Sequence, residues 1–224
     1  MIINNFKKIF IKLKGLIPLR IKTKLKKFRN FNACLELDKK MLKYINFRNG
    51  FYIECGANDG INQSNTWFFE KKLNWKGLLI EPNPKVFEEL KRNRSNKNFF
   101  SNSLIGSFKD ESSRVKMLDT PDSLKNRVIN KRKTQYNYIK VKSQSLNQIL
   151  NEIKAPKKID FFSLDVEDQE WNVLNGINFN AYNFMYILIE TRFFKKINNF
   201  LKKFNYKFEK RLSNIDYLFK KNKN

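Results

Sequence analysis

In the seven residues that begin with Glu54, the acid is followed by Gly56, Asn58 and Gly60. The segment starts inside an apolar run, Phe51 to Cys55, and continues through Gly56 and Asn58. Glycine tolerates positive φ and has no side chain to keep a ligand away from the backbone. These residue types predict a buried strand that breaks into a bend where a nucleotide-like cofactor binds.

A second acid follows the next apolar run along the chain. Residues 77–80 read Gly-Leu-Leu-Ile, and the run ends in Glu81, 21 residues after Gly60. An acid at about that distance is suited to accept hydrogen bonds from ribose hydroxyls in a βαβ unit. Glu81 is therefore the predicted ribose ligand.

The glycine spacing separates two classes of cofactor. Dinucleotide sites usually contain G-x-G-x-x-G, because the middle glycine lets the backbone approach a pyrophosphate. Here Asn58 stands where that glycine would be. S-adenosylmethionine has no diphosphate and needs less close approach, and the spacing is similar to the acidic-x-Gly-x-x-x-Gly signature of class I methyltransferases. A nicotinamide enzyme and a glycine turn without a ligand remain the alternatives.

Three further acids are expected at the edge of the sheet where ligands of open α/β folds bind. Asp165 and Glu167 follow the predicted strand Ile159–Asp165, and Glu190 ends the next strand. Asp165 is the first candidate for a general base or acceptor-positioning group, with helix capping as its structural alternative. Glu190 is the second candidate, and its alternative is an ion pair with Arg192.

These acids are positioned by short apolar strands that alternate with helical patterns from about residue 41. That alternation predicts an α/β fold with a parallel sheet covered by helices on both faces. Ser64 and Asn83 are the expected N-terminal caps of two of the helices. Residues 107–142 show no periodicity and suggest either a substrate lid or a surface insertion. The remaining strands are expected at Phe99–Ile105, Tyr186–Thr191, Tyr206–Arg211 and Asp216–Phe219, with the last two forming a closing antiparallel hairpin.

The net charge of +25 suggests an affinity for polyanions. However, the chain has 36 lysines against 10 arginines, whereas proteins that read bases favour the arginine fork. We therefore expect sequence-blind attraction to polyanions and no specific nucleic acid partner. The chain has no histidine, which removes the commonest general base and transition-metal ligand. Three acids at one edge would suit Mg²⁺, but a metal is not favoured.

The two cysteines, Cys34 and Cys55, cannot form a disulfide framework, so a reducing cytoplasm is expected. No apolar stretch approaches the ~20 residues of a membrane span. We predict one domain over residues 41–224, preceded by a basic segment over residues 1–40 with 12 Lys or Arg. Apolar residues recur at helical spacing from Ile2 to Ile17 and predict an amphipathic helix. This helix would contact an anionic membrane surface through residues 1–30, pack on the domain, or fray.

Three segments together resemble the FkbM family of S-adenosylmethionine-dependent methyltransferases. They are residues 51–60, residues 77–84 and Ile159 to Glu167. The resemblance implies a class I, Rossmann-like fold with a mostly parallel seven-stranded sheet, and O-methylation of a saccharide or similar small polyol. The family usually has glycine where this chain has Asp168, so we expect a strained turn or a reshaped substrate pocket there. The residues that would hold the cofactor are Glu54, Gly56, Ala57, Asn58, Gly60, Glu81, Pro82 and Asp165.

Two other functions are weighed against the small-molecule methyltransferase. The first is methylation of RNA or DNA through the basic surface. The chain has Glu81-Pro82-Asn83-Pro84 in place of the Asn/Asp-Pro-Pro-aromatic loop used to methylate amino groups of bases, and it has no Pro-Cys pair for attack on cytosine. The second is a catalytically silent domain tethered to membranes or polyanions. Cofactor binding discriminates this last class from the enzymes, whereas the oligomeric state cannot be predicted.

Overall fold

The computed structural model describes residues 31–111, 114–119 and 137–222. Within these residues, ten strands form two sheets. They are β1 (Phe51–Cys55), β2 (Lys76–Ile80), β3 (Phe99–Ser101), β4 (Leu104–Gly106), β5 (Arg114–Asp119), β6 (Asn137–Ser145), β7 (Lys158–Leu164), β8 (Asn183–Glu190), β9 (Tyr206–Arg211) and β10 (Asp216–Lys221). The α-helices are α1 (Leu37–Met41), α2 (Trp67–Leu73), α3 (Pro84–Asn93), α4 (Leu146–Glu152), α5 (Glu170–Leu174) and α6 (Phe194–Lys202).

The larger sheet has seven strands in the order β3-β2-β1-β7-β8-β10-β9. The first five are parallel, and β10 pairs antiparallel with both β8 and β9. In the central register Ile53 lies between Leu78 and Phe162. This confirms the predicted α/β fold with its closing antiparallel hairpin. The parallel strands bring the carboxyl ends of β1, β2, β7 and β8 to one edge of the sheet.

Side chains alternate between two buried clusters, as strands covered on both faces require. Along β1, Ile53 belongs to one cluster and Tyr52 to the other. Ile53 shares its cluster with residues of α4, α5 and α6, while Tyr52 shares its own with residues of α1, α2 and α3. The core therefore fixes β1 from both sides, and β1 carries the glycine bend at its end.

Two local predictions were wrong. The segment Phe99–Ile105 is two strands in different sheets, because the chain turns at Asn102, whose side chain donates to the carbonyls of Glu81 and Pro82 at 2.8 and 3.0 Å. Residues 107–142, expected to be irregular, contribute β5 and β6, which pair antiparallel and join β4 in a three-stranded sheet. Apolar residues do alternate with polar ones here, at Val115 and Met117 of β5 and at Ile139 and Val141 of β6, but the alternation is too short to stand out in a polar segment.

The amphipathic helix predicted for the N-terminus lies outside the described residues. The predicted boundary after residue 40 falls within α1, where Leu37 and Met41 are buried against the sheet. A separate role for the basic segment stays a prediction. Within the described part of the chain, no helix has both the length and the apolar character needed to cross a membrane.

Candidate functional site

Gly56 joins the ends of three strands. Its amide and that of Ala57 both donate to the carbonyl of Ile80, at 3.1 and 2.9 Å, while the amide of Asp165 donates to Cys55 at 3.2 Å. A Cβ on Gly56 would lie 1.9 Å from the carbonyl oxygen of Asp165, and its φ is +80°. Only glycine fits this position. The bend and the predicted catalytic acid are therefore held against each other by backbone.

Glu81 points at the bend, as predicted. One carboxylate oxygen accepts from the amide of Asn58 at 3.1 Å and the other from the amide of Asn83 at 2.8 Å. The residue is 8% exposed. Burial raises the pKa of Glu81 to about 7, against the effect of the two amides, and the charge of Asp59 adds to the rise. A carboxylate has about four acceptor positions, so two amides leave capacity for the hydroxyls of a sugar.

Residues 82–85, which follow Glu81, are held by the helix cap that the sequence predicts at Asn83. The side chain of Asn83 accepts from the amide of Lys85 at 3.0 Å, and Pro84 is the first residue of α3. Pro82 is held through its carbonyl by Asn102. The loop after β2 therefore has the same kind of internal support as the bend after β1.

Glu54 uses its carboxylate inside the protein. One oxygen accepts from the amide of Asn65 at 2.6 Å, and the other accepts from the hydroxyls of Ser64 and Thr66 at 2.9 and 2.5 Å. Glu54 thereby ties the end of β1 to the start of α2. A direct contact between Glu54 and the methionine end of a cofactor stays a prediction.

Gly60 is turned toward α3. It has φ +78°, and a Cβ there would lie 2.6 Å from Leu90 and 2.7 Å from Arg94. The missing side chain thus makes room for Arg94, a residue that the sequence analysis did not single out. The signal that would have found it is its position four residues after Leu90, the buried residue of α3.

Six acids converge on the carboxyl edge of the sheet, and we call them the acidic edge. Glu190 and Asp216 are register partners across β8 and β10, and the others follow β7. The structure therefore brings together the three acids predicted to be catalytic, and adds Asp216 and Glu170, which the sequence analysis missed because strand register and a short helix were needed to place them. The acidic edge comprises Asp165, Glu167, Asp168, Glu170, Glu190 and Asp216.

Burial raises the pKa values of four acids of this group, and repulsion by neighbouring acids adds to the rise at three of them. For Asp165, which is partly buried, burial is the first cause and the charges of Glu190 and Glu167 follow, so that its pKa lies well above the ordinary range. For Glu190, burial and Asp216 raise the pKa while Arg192 opposes them. The charge of Arg192 therefore acts on Glu190, as the alternative ion pair would require, but it does not outweigh burial and the neighbouring acids in setting the pKa of Glu190. Raised carboxyl pKa values in a cleft are typical of functional sites.

The pKa values of Glu170 and Asp216 are also raised. Burial is the first cause for both, and it raises the pKa of Glu170 to about 7. The charge of Asp168 adds to the rise at Glu170, whereas a hydrogen bond from Ser213 and the charge of Lys40 oppose it at Asp216. Asp165, Glu170, Glu190 and Asp216 therefore all have pKa values above the ordinary range of carboxyl groups.

The turn after β7 has the strain expected from the replacement of glycine. Glu167 and Asp168 adopt φ of +51° and +69°, and both are exposed. The amide of Asp168 donates to Glu170 at 3.1 Å, which helps to hold the turn. Left-handed backbone is costly for residues other than glycine and persists where the surroundings fix it.

A segment near the N-terminus lies beside the acidic edge. Cys34 is exposed, and after burial the charges of Asp216 and Glu190 are the main causes that raise its pKa. Residue 33 forms a parallel bridge with Gln63 in the loop after the bend. Residues 33 and 34 thus lie near both the loop after the bend and the acidic edge. Over the described ranges, no three His, Cys, Asp or Glu side chains are grouped to hold a metal ion.

Comparison with known proteins gives a family and a fold. A family model for the methyltransferase FkbM domain matches residues 54–208. The methyltransferase FkbM from Methylobacillus flagellatus KT superposes with a TM-score of 0.51 at 13% identity, over 80% of this chain and 45% of that chain. This chain therefore spans less than half of that structure. No curated protein matches this chain.

Two further solved structures superpose with lower scores. A precorrin-6y C5,15-methyltransferase from Geobacter metallireducens GS-15 has a TM-score of 0.45 and 12% identity, over 84% of this chain and 92% of that chain. A methyltransferase from Geobacter sulfurreducens has a TM-score of 0.46 and 12% identity, over 95% and 96% of the two chains.

Proposed function

This chain belongs to the FkbM methyltransferase family, and from that premise we propose that it methylates a hydroxyl group of a saccharide or similar small polyol. S-adenosylmethionine is the methyl donor that the family implies. The observation that carries the proposal is the backbone contact between the glycine bend and Asp165, because the bend is the proposed cofactor site and Asp165 the proposed proton acceptor.

The residues after β1 and β2 fit the adenosyl part of this cofactor. Glu81 is held at the bend by two amides and retains acceptor capacity for ribose hydroxyls. The bend from Gly56 to Asn58 presents backbone groups to a ligand. Asn58 replaces the middle glycine that a dinucleotide site uses to approach a diphosphate. We assign Glu81 and Pro82 to the ribose side, and Gly56, Ala57 and Asn58 to the methionine side. Glu54 and Gly60 would support this bend from behind.

The proposed chemistry needs a base and an aligned hydroxyl. S-adenosylmethionine supplies a methyl group already activated on a sulfonium. A neutral alcohol is a poor nucleophile, and a positioned base that removes its proton contributes about 10²–10⁴-fold in rate. The raised pKa of Asp165 makes its carboxylate a stronger base than an ordinary aspartate. Asp165 would accept the hydroxyl proton, while Glu190 and Glu167 maintain its basicity through their charges.

The same charges argue against a polyanionic acceptor. Although the chain carries a net charge of +25, six of its acids lie at the proposed reaction edge, and like charges repel a phosphate backbone there. A neutral hydroxylated acceptor avoids that repulsion. Among the described cysteines, Cys34 is exposed and neither it nor Cys55 is in a disulfide, which supports a reducing, cytoplasmic setting.

A methyl-transfer assay with labelled S-adenosylmethionine tests this proposal. The full chain is incubated with a panel of neutral mono- and oligosaccharides and polyols, and in parallel with RNA and single-stranded DNA. Label is expected in at least one hydroxylated small molecule, and it should be lost in the Asp165→Asn variant. Label found in nucleic acid alone would contradict the proposed acceptor class, and cofactor binding without any transfer would favour a catalytically silent domain.

A further inference from the structure

A buried arginine cluster lies directly behind the glycine bend. The side chain of Arg94 is 0% exposed, although it carries a charge that is costly to bury unless it is paired. Arg94 follows the last residue of α3, so its guanidinium extends from that helix into the space between β1 and α2. Its partners through side-chain atoms are Tyr52, Glu54, Ser64, Thr66 and Glu70.

One side of the guanidinium faces the core. Its Nε donates to Glu70 at 2.6 Å, and one terminal nitrogen donates to the hydroxyl of Tyr52 at 2.8 Å. Burial alone would raise the pKa of Glu70, but Arg94 and Lys71 outweigh burial and lower this pKa to about 2. Arg94 and Glu70 are therefore a fixed ion pair in the folded protein.

The other side faces the bend. The second terminal nitrogen donates to the carbonyl of Gly60 at 3.2 Å and to the hydroxyl of Ser64 at 3.1 Å. The nitrogen that reaches Tyr52 also donates to Thr66 at 3.0 Å. Ser64 and Thr66 in turn donate to Glu54, the acid of the bend. The planar guanidinium of Arg94 thus connects its core partners, Tyr52 and Glu70, to both ends of the segment from Gly60 to Thr66.

We propose that Arg94 is a positioning residue that holds residues 56–66 in the shape required to bind the cofactor. The proposal deepens the proposed function and depends on it for the identity of the ligand. It explains why Gly60 must be glycine: its missing Cβ accommodates the stem of Arg94 at 2.7 Å. It also explains why Glu54 is buried with its oxygens occupied by protein groups.

Lysine cannot replace Arg94 in this role. The guanidinium offers five donors in a rigid planar fork, whereas a lysine ammonium is a compact charge on a flexible stem. Arg94→Lys keeps a cation for Glu54 and Glu70 but cannot span the core side and the bend side together. We expect the variant to fold and to release the bend.

Hydrogen–deuterium exchange of the full-length protein tests this without any ligand. In Arg94→Lys, amides in residues 57–66 should exchange at least tenfold faster, while amides in β8 and β10 change less than twofold. Unchanged exchange at residues 57–66, or an equal rise across the whole sheet, would overturn the proposal. This readout stays valid even if the wild type binds no cofactor, an outcome that would defeat the proposed function instead.

A matched pair of hydroxyl deletions provides a second test. Thr66→Val removes a partner on the bend side, and Tyr52→Phe removes one on the core side. Titration with S-adenosylhomocysteine, the demethylated cofactor, should show about tenfold weaker binding for Thr66→Val and less than twofold for Tyr52→Phe, while both lower the melting temperature. Equal losses of affinity in the two variants, or none in Thr66→Val, would show that the cluster acts on stability alone.

Discussion

Two groups of acids in this protein differ in whether a buried cation accompanies them. Glu54 and Glu70 share the guanidinium of Arg94, and the pKa of Glu70 falls to about 2. At the acidic edge, Asp165 and Glu170 are also removed from water, yet their pKa values rise, to about 7 for Glu170. Glu70 and Glu170 are similarly buried, at 8% and 4% exposed, so the cations beside Glu70 account for the opposite direction of its pKa shift.

The difference assigns a role to each group. A paired and hydrogen-bonded acid has a fixed charge and serves to hold structure. Acids that repel one another destabilise the folded protein. Such groups are typical of sites where a proton is transferred. The bend is thus supported from behind by the Arg94 cluster and lies beside the acidic edge, which is the proposed proton acceptor.

The largest expected effect comes from removing the proposed base. Asp165→Asn should lower turnover by about 10²–10⁴-fold, because the amide cannot accept the hydroxyl proton. The affinity for S-adenosylhomocysteine should change less than threefold, since the backbone of Asp165 still packs on Gly56. Steady-state rates with an identified acceptor, together with calorimetric titration, measure the two effects. An unimpaired rate would remove Asp165 from the mechanism.

A pair of isosteric substitutions tests directly whether the paired and the unpaired acids differ in their effect on stability. Glu70→Gln should lower the free energy of unfolding at pH 7 by about 3 kcal/mol, because it removes the nearer of the two carboxylates that balance the buried charge of Arg94. Glu170→Gln should raise it by roughly 1–3 kcal/mol at pH 8, because ionised Glu170 is disfavoured in the folded state.

The pH dependence of this pair has opposite signs. Glu70 has a lowered pKa in the folded state, so its contribution is present above pH 4.5 and disappears as the pH falls toward 2. Glu170 has a raised pKa, so the penalty that Glu170→Gln removes is absent below pH 4.5 and grows as the pH rises through about 7. Urea denaturation at pH 4.5, 6 and 8 checks both. Equal effects of the two variants at every pH would contradict the distinction between paired and unpaired acids.

Cofactor affinity should follow the ionisation of Glu81. With a pKa of about 7, its carboxylate becomes a stronger acceptor for ribose hydroxyls as the pH rises from 6 to 8, because hydrogen bonds to charged groups are stronger than those to neutral ones. The dissociation constant of S-adenosylhomocysteine should fall up to about tenfold over that range. Glu81→Gln should show weaker binding and a flatter dependence. An identical pH profile in the variant would disprove the ribose assignment.

The smallest effect concerns the repulsion within the acidic edge. Glu190→Gln removes the charge that contributes most, after burial, to the raised pKa of Asp165. The acid limb of the rate against pH should therefore move to lower pH by about a few tenths of a unit, because Glu167, Asp216 and Glu170 retain their contributions to the raised pKa of Asp165. A shift to higher pH would mean that Glu190 attracts the transferred proton itself.

Local signals in the sequence were sufficient for the main elements of the fold. The apolar run before Gly56 predicted β1, and the Asn83-Pro84 pair predicted the start of α3. The sequence predicts Ser64 as the N-terminal cap of α2, whereas Thr66 occupies that position; the hydroxyl of Ser64 nevertheless accepts from the amide of Trp67 at 3.0 Å. The placement of Glu81 at the bend follows from the βαβ unit, because adjacent parallel strands end at the same edge.

What could not be predicted depended on long-range contacts. Arg94 lies in the sequence Lys-Arg-Asn-Arg and has the composition of a solvated helix end. Its burial arises because Gly60, Glu54 and Glu70, up to 40 residues away, surround it in the fold. Asp216 joins the acidic edge through the antiparallel register with Glu190. A single sequence does not specify that register.

Calorimetric titration of the full chain with S-adenosylhomocysteine tests the central claim most directly. We predict one binding site per chain and at least tenfold weaker binding in Glu81→Ala, because a charge-assisted acceptor of the ribose is lost. Absence of binding to the wild type, or equal affinity in Glu81→Ala, would contradict the assignment of a cofactor site to the bend after β1.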